Sequence, residues 1–143
     1  MKDLPHQYLV SVSGTPDANL QTTAANLPVL TTAAPENFGG PGDQWSPEDL
    51  LIAAVANCTV LSFKAIARAS KLEWVSIECA SEGVLDKVER KMLFTKVTTR
   101  VKLLIRSIED KAKAEKLLFK AEEACLVSNS MTAETHLECE ITV

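Results

Sequence analysis

The sequence has no run of lysine or arginine, and its 15 basic residues are outnumbered by 19 acidic ones. The net charge of −4 disfavours nucleic acid and anionic membrane surfaces as partners. No positively charged segment followed by an apolar stretch opens the chain, so we predict no secretory signal. We therefore expect a cytoplasmic protein, in a reducing compartment where thiols are more often catalytic or inert than paired for structure.

The patterns expected of a metal site are also missing. None of the four cysteines stands in a C-x-x-C spacing, and the two histidines lie far apart in the sequence. Zinc sites usually draw on such clustered ligands. We therefore expect neither a bound metal nor another cofactor.

The stretch Trp45–Ser70 is the most distinctive part of the chain. Ser46, followed by proline and then by Asp49 three residues on, approximates a capping box at a helix start. Leu50–Phe63 contains no charged residue and has Cys58 near its middle. Fourteen helical residues rise about 21 Å, which is short of the roughly 30 Å hydrocarbon core of a bilayer. We predict a buried core helix rather than a membrane span.

A helix that is apolar on every side is difficult to cover in so small a chain. One sheet and one amphipathic helix would hide only part of its surface. We therefore predict a homodimer, with the helix that carries Cys58 near the interface.

The rest of the chain predicts strands and one further helix. Three weak strands precede the central helix, and a hairpin with a charged tip, an amphipathic helix and a last strand follow it. The three weak strands are Gln7–Gly14, Ala18–Ala25 and Pro28–Ala34. The hairpin consists of a strand around Val75–Cys79, a tip at Asp86–Lys91 and a strand over Met92–Ile105. Ser107 and Asp110 open the helix, the last strand covers Leu137–Val143, and the buried face of the helix consists of Ala114, Leu117, Leu118, Ala121 and Cys125. We predict one α+β domain over residues 1–143, with antiparallel sheets.

The cysteines differ in their surroundings. Cys79 and Cys139 occupy inward positions of alternating strands, which is typical of small buried hydrophobes. Cys58 allows the same interpretation. Cys125 ends the amphipathic helix beside polar residues such as Ser128.

Two motifs carry a family resemblance. The run S-P-E-D-L-L-I-A-A-V-A-N-C, followed 67 residues after its cysteine by A-C-L-V-S-N-S, resembles the OsmC and organic hydroperoxide resistance family. Members share a helix with a glutamate ten residues before a cysteine and a later C-x-x-S-N. Here these residues are Glu48, Cys58 and Cys125, and the resemblance extends over nearly the whole chain. It implies an OsmC-like fold, an intertwined homodimer with antiparallel sheets around two central helices.

The resemblance also implies thiol peroxidase chemistry. Cys58 would attack the hydroperoxide and become a sulfenic acid, Cys125 would condense with it, and an external dithiol such as a dihydrolipoyl group would reopen the disulfide. Cys125 at a helix C-terminus would lie at the negative end of the dipole, which favours the protonated thiol and suits a resolving cysteine. The apolar neighbours of Cys58 favour an organic hydroperoxide over hydrogen peroxide.

Peroxidases of this family activate the first cysteine with an N-terminal arginine held by the glutamate that Glu48 matches. This chain has no arginine before Arg68. Glu48 is then either a catalytic residue or only a helix-end residue, and Arg68 of the partner subunit is a candidate replacement for the missing arginine. Three functions stay open: an organic hydroperoxide reductase, an OsmC-like protein without efficient peroxidase activity that binds a small apolar ligand at the dimer interface, and an oxidant sensor.

Overall fold

The computed structural model describes all 143 residues. The chain forms two compact units, Met1–Leu50 and Leu51–Val143. The elements in chain order are β1 (Ser11–Ser13), β2 (Leu20–Thr23), β3 (Leu30–Thr32), a 3₁₀ turn (Glu36–Phe38), α1 (Pro47–Ala69), β4 (Trp74–Val88), β5 (Lys91–Ile105), a second 3₁₀ turn (Ile108–Asp110), α2 (Lys111–Glu123), α3 (Leu126–Asn129) and β6 (Glu134–Thr142). The predicted α+β class and the predicted order of the main elements are confirmed.

The first unit contains a small antiparallel sheet in the order β1-β2-β3. Its strands have three, four and three residues, so they are shorter than the predicted segments. The turn between β2 and β3 includes Asn26 with a φ of 64°, a left-handed conformation that asparagine tolerates better than most residues. The ends of the predicted segments, such as Tyr8 to Val10 in the first, lie outside the strands.

The predicted capping box at the start of α1 is confirmed. The Asp49 amide donates to Ser46 Oγ at 3.1 Å, and the Ser46 amide donates to Asp49 Oδ2 at 3.3 Å. The Ser46 hydroxyl also donates to Asp49 Oδ2 at 2.8 Å. These bonds satisfy amides that have no partner inside the helix, and so they fix where the helix begins.

Within the second unit, α1 buries one stripe of side chains. The stripe repeats every four residues and consists of Val55, Thr59, Phe63 and Ala67. Phe63 packs edge-on against Trp74 of β4, with ring centroids 5.5 Å apart. By length and composition alone, α1 could cross a membrane. The buried stripe places one face of it in the protein core, whereas other apolar side chains such as Leu61 stay exposed within the single chain.

Strands β4 and β5 form a long antiparallel hairpin with fifteen residues in each strand. The pairing continues to Val88↔Lys91, so the turn is reduced to Glu89 and Arg90, which have φ values of 49° and 73°. Two consecutive positive φ values are typical of the tight hairpin turn that matches strand twist. The predicted charged tip is therefore narrower than Asp86–Lys91.

The last strand departs from the predicted antiparallel arrangement. β6 pairs with β5 in parallel, in a register that sets Lys96 opposite Glu134 and Val101 opposite Cys139. The chain leaves β5 at Ile105, crosses back through α2 and α3, and enters β6 near the end of the sheet where β5 begins, which is the crossover connection that a parallel pair requires. The β4-β5-β6 sheet is consequently mixed.

Helix α2 covers the inner face of this sheet. Its predicted apolar face is confirmed, because all four of its inward residues are buried: Ala114, Leu117, Leu118 and Ala121. Ser107 and Asp110, which we predict from the sequence to open this helix, do not form a capping box with each other. The Ser107 hydroxyl caps the preceding 3₁₀ turn by accepting from the Glu109 amide at 3.4 Å, and Asp110 makes no capping bond with its side chain. The inserted turn moves the helix start beyond the reach of Ser107.

Candidate active site

The structure brings Cys58 and Cys125 together. Cys58 lies on α1 and is half-buried, whereas Cys125 lies between α2 and α3 with none of its surface exposed. The side chain of Cys58 lies close enough to Cys125 to affect the pKa of its thiol, although 67 residues separate the two in the sequence. All four cysteines of the chain are free thiols. A pair of adjacent thiols, one accessible and one enclosed, is therefore present in the second unit.

The position of Cys125 differs from the prediction. Helix α2 ends at Glu123, and Cys125 is the residue that precedes the first turn of α3. Cys125 has an extended backbone, with φ of −67° and ψ of 101°, and its amide donates to the Glu122 carbonyl at 3.1 Å, so it joins the C-terminus of α2 to the start of α3. Ser128, one turn into α3, points its hydroxyl back and donates to Cys125 Sγ at 3.2 Å.

These contacts lower the pKa of the Cys125 thiol. Burial alone would raise it, but hydrogen bonds from the side chain and backbone of Ser128, and from Cys58 and Thr59, outweigh the burial and bring the pKa below the ordinary value of 9.0. The Ser128 amide lacks the geometry of a regular capping bond, so the hydroxyl is the stronger of its two donors. The direction of this pKa shift is opposite to the one expected from the negative end of a helix dipole, because hydrogen-bond donors surround the Cys125 sulfur.

Thr59 lowers the pKa of the Cys125 thiol less than its proximity suggests. Its hydroxyl donates to the Val55 carbonyl at 3.0 Å, and a hydroxyl has only one proton to give. The Ser128 hydroxyl has no other hydrogen-bonding partner than Cys125 Sγ. Ser128 is therefore the side-chain hydroxyl that is free to stabilise a negative charge on Cys125.

The other two cysteines are partly buried and pack against the core of the second unit. Cys79 and Cys139 are paired in register with opposite sides of Val101, so both face the helical layer. Burial raises the pKa of Cys79, and the nearby Cys125 raises it further. Burial, together with the carboxylates of Glu115 and Glu122, raises the pKa of Cys139 to about 11. Both groups therefore stay protonated at neutral pH, in line with our interpretation of them as buried hydrophobes.

Glu48 lies in the first turn of α1, ten residues before Cys58 along the helix. It belongs to the first unit, and the thiol pair belongs to the second. None of the three ion pairs of the chain includes Glu48. The assignment of Glu48 as a site residue, made from the sequence, stays a prediction.

Two residues beside Cys125, Ser128 and Thr59, were not predicted from the sequence as site residues. The C-x-x-S spacing of Cys125 and Ser128 could have indicated this contact. A side chain three positions into a helix can reach back to the residue that precedes the helix. Thr59 follows Cys58 directly, and only the fold shows that its hydroxyl is committed to the helix backbone.

The fold and the thiol pair define a class of α+β protein that presents one cysteine on a long central helix beside a second cysteine in the loop after α2. A sequence model described as OsmC-like protein matches residues 40–140, so this chain belongs to the OsmC-like protein family. This confirms the resemblance seen in the sequence.

Individual relatives agree with this assignment. The chain is 27% identical over 118 residues to the uncharacterized protein YmaD of Bacillus subtilis (strain 168), covering 80% of this chain and 79% of that protein. It is also similar to an OsmC-like protein of unknown function from Vibrio cholerae, with a TM-score of 0.88, 19% identity, and coverage of 95% of this chain and 100% of the other. An organic hydroperoxide resistance protein OsmC from Legionella pneumophila gives a TM-score of 0.74 at 23% identity, with coverage of 99% and 100%. At these identities the structural likeness establishes the fold.

Proposed function

We propose that this protein is a thiol-dependent peroxidase that reduces organic hydroperoxides in oxidative stress defence. The observation that carries the proposal is the adjacency of Cys58 and Cys125, two free thiols from distant parts of the chain. A reversible sulfenic acid needs a second thiol beside it to be trapped as a disulfide before it is oxidised further. Membership of the OsmC-like family, and the similarity to hydroperoxide resistance proteins, agree with this chemistry.

The reaction requires three steps. The Cys58 sulfur bonds to the distal peroxide oxygen, the O–O bond breaks, and Cys58 becomes a sulfenic acid as the alcohol leaves. The Cys125 sulfur then displaces the hydroxyl of that sulfenic acid, which departs as water, and a disulfide forms. An external dithiol reduces the disulfide to the two thiols and is itself oxidised to a disulfide. No cofactor takes part.

The roles of the two cysteines follow from their accessibility. A hydroperoxide can reach a half-buried sulfur such as Cys58, but it cannot reach Cys125, which is 0% exposed. The neighbours of Cys58 along α1 are uncharged from Leu50 to Phe63. An apolar approach favours an alkyl or fatty-acid hydroperoxide over hydrogen peroxide, because the alkyl group gains free energy by leaving water.

A second copy of the chain would cover the apolar surface of α1 that the single chain leaves exposed. Helix α1 buries only one stripe within the single chain, while apolar residues outside that stripe, such as Leu61, stay exposed. We propose a homodimer in which α1 lies at the interface, acting in the cytoplasm where dithiol reductants are available.

The test is a single-turnover oxidation of the reduced protein, followed by mass spectrometry of the alkylated thiols. We expect one equivalent of cumene hydroperoxide to consume Cys58 and Cys125 together and to leave Cys79 and Cys139 alkylatable. Hydrogen peroxide should react more slowly. A Cys58→Ser variant should lose the reaction, whereas the matched Cys139→Ser variant should keep it. Equal loss of all four thiols, or no loss of Cys58, would contradict the proposal.

A second candidate function is the binding of a small apolar ligand without efficient peroxidase activity. The observation in its favour is an open apolar groove of about 500 Å³ in the first unit, lined by residues that include Val10, Leu27 and Leu30. A fatty acid that binds a Cys58→Ser variant as tightly as the wild type, combined with an unreactive wild-type Cys58, would favour this function.

A further inference from the structure

We propose that Ser128 is a positioning residue for the step that forms the disulfide. Its hydroxyl supplies the hydrogen bond that the enclosed Cys125 sulfur needs when it attacks the Cys58 sulfenic acid as a thiolate. This role rests on the proposed peroxidase function, and it concerns only the resolving step, which follows the attack of Cys58 on the hydroperoxide.

The need for such a donor follows from the enclosure of Cys125, which has 0% of its surface exposed. The thiolate is the form of a cysteine that attacks another sulfur. A buried thiolate loses the hydrogen bonds that water would give it, so burial by itself disfavours the charged form. The protein must therefore supply a donor to the Cys125 sulfur if the thiolate is to form near neutral pH.

The Ser128 hydroxyl is placed to be this donor. It donates to Cys125 Sγ at 3.2 Å and makes no other hydrogen bond. The nearby Thr59 hydroxyl donates to the Val55 carbonyl at 3.0 Å, so its single proton is already used. Ser128 is thus the hydroxyl whose proton is directed at the sulfur.

The backbone around Cys125 holds the donor and the sulfur together. The Asn129 amide donates to the Cys125 carbonyl at 2.9 Å, which closes the turn of α3 that carries Ser128. The Asn129 side chain donates to the Glu123 carbonyl at 3.0 Å and ties this turn to the end of α2. The C-x-x-S-N segment therefore has the hydrogen bond to the sulfur in place before any sulfenic acid forms.

No cation is among the groups that act on Cys125. The groups that lower the pKa of its thiol are hydrogen-bonding neighbours on α3 and α1, namely Ser128, Cys58 and Thr59. Cys79 of β4 is the other titratable group that interacts with Cys125, and burial raises the pKa of Cys79, so it is uncharged at neutral pH. Removing the Ser128 hydroxyl would leave a negative Cys125 sulfur without a charged group to replace it.

The resolving step balances without a further reactant. The Cys125 thiolate bonds to the Cys58 sulfur with its own electron pair, and the S–O bond of the sulfenic acid breaks. The hydroxide that leaves takes up the proton that Cys125 had released, so one water departs. The Cys125 sulfur is oxidised, and the Cys58 sulfur is reduced from a sulfenic acid to one half of the disulfide.

Loss of the hydroxyl acts on the rate of this step in two opposite ways. Losing a hydrogen bond to a charged group raises the pKa by about one to two, which lowers the thiolate fraction at neutral pH. The thiolate of higher pKa is also the better nucleophile, which restores about half of the loss on a logarithmic scale. We therefore expect Ser128→Ala to form the disulfide about three- to tenfold more slowly at pH 7. At a pH where both proteins have an ionised Cys125, the variant should be as fast as the wild type or faster.

The experiment mixes the reduced protein with increasing excesses of cumene hydroperoxide between about pH 6 and about pH 10. Dimedone quenching and mass spectrometry give the yields of Cys58 sulfenic acid, Cys58 sulfinic acid and disulfide. A slower resolving step leaves the sulfenic acid exposed to a second hydroperoxide, so Ser128→Ala should yield about three- to tenfold more sulfinic acid relative to disulfide at pH 7. This excess should vanish at high pH.

Two further variants separate the hydrogen bond to sulfur from a general effect on α3. Ser128→Thr keeps a hydroxyl and should restore the wild-type yields. The matched control is Ser130→Ala, because the Ser130 hydroxyl at the end of α3 donates to the Leu126 carbonyl at 2.8 Å and not to a sulfur. We expect this control to behave like the wild type.

Wild-type yields in Ser128→Ala at pH 7 would overturn the role of Ser128 and leave the peroxidase function standing. Slowing that is equal at every pH, or that Ser128→Thr does not relieve, would also overturn it, because a structural defect does not depend on the thiolate fraction. A wild-type protein whose Cys58 forms neither sulfenic acid nor disulfide would instead refute the proposed function itself.

Discussion

The exposed apolar surface of α1 allows a sharp test of the homodimer. Leu61 is 61% exposed within the single chain, although it lies on a helix with no charged residue from Leu50 to Phe63. If a second copy covers this surface, Leu61→Ala removes apolar contacts at the interface. The same change in a monomer would alter only surface that already faces water.

The size of the effect follows from the atoms removed. Leu→Ala deletes three carbons, worth about 2.4 kcal/mol when fully buried at about 0.8 kcal/mol each. Scaled by the exposed fraction of 61%, the loss is roughly 1.5 kcal/mol per chain. Two chains then lose about 3 kcal/mol of association free energy, which raises the dimer dissociation constant roughly 100-fold.

The assay is sedimentation velocity over a concentration series from nanomolar to micromolar. The matched control is Ile108→Ala, because Ile108 is 63% exposed and lies on a 3₁₀ turn away from α1 in the sequence. We expect the control to associate like the wild type and Leu61→Ala to dissociate at higher concentration. A wild type that sediments as a 15.5 kDa monomer, or equal weakening by both substitutions, would refute the interface.

Three further predictions concern stability, pH and activation. Leu118→Ala should lower the free energy of unfolding by about 2–5 kcal/mol in urea, because Leu118 is 0% exposed, whereas Leu126→Ala, at 70% exposure, should change it by less than about 0.5 kcal/mol. The pKa of Cys139 is raised to about 11 from an ordinary 9.0, so its contribution to the stability of the folded protein is fully present below pH 9 and is lost as the pH rises to about 11. The difference in free energy of unfolding between the wild type and Cys139→Val should therefore shrink between pH 9 and about 11 and stay constant below pH 9. If Arg68 of the partner subunit activates Cys58, Arg68→Met should slow formation of the Cys58 sulfenic acid by at least about tenfold in the folded protein, as a dimedone quench would measure; an unchanged rate would dismiss Arg68.

The sequence alone determined the local elements of this protein. Ser46 and Asp49 marked the helix start because their side chains satisfy amides within one turn, and that capping needs no distant partner. The buried face of α2 followed from the spacing of residues such as Leu117 and Leu118, since helical periodicity by itself sets which side chains share a face. The two cysteine motifs pointed to the family for a similar reason, because each motif is a short, continuous stretch of chain.

Only the tertiary structure shows how these local elements pair and pack against one another. The parallel pairing of β6 depends on the path of the chain through α2, and an alternating pattern looks the same in either strand direction. The break at Ala124 moved Cys125 from the end of one helix to the start of the next, where Ser128 can donate to its sulfur. The direction of the pKa shift of Cys125 reversed as a result, because hydrogen-bond donors within reach of a sulfur act more strongly on its charge than a helix dipole inferred from sequence. The environment of the Cys125 sulfur is therefore a property of the fold, since it depends on groups that only the fold brings into contact.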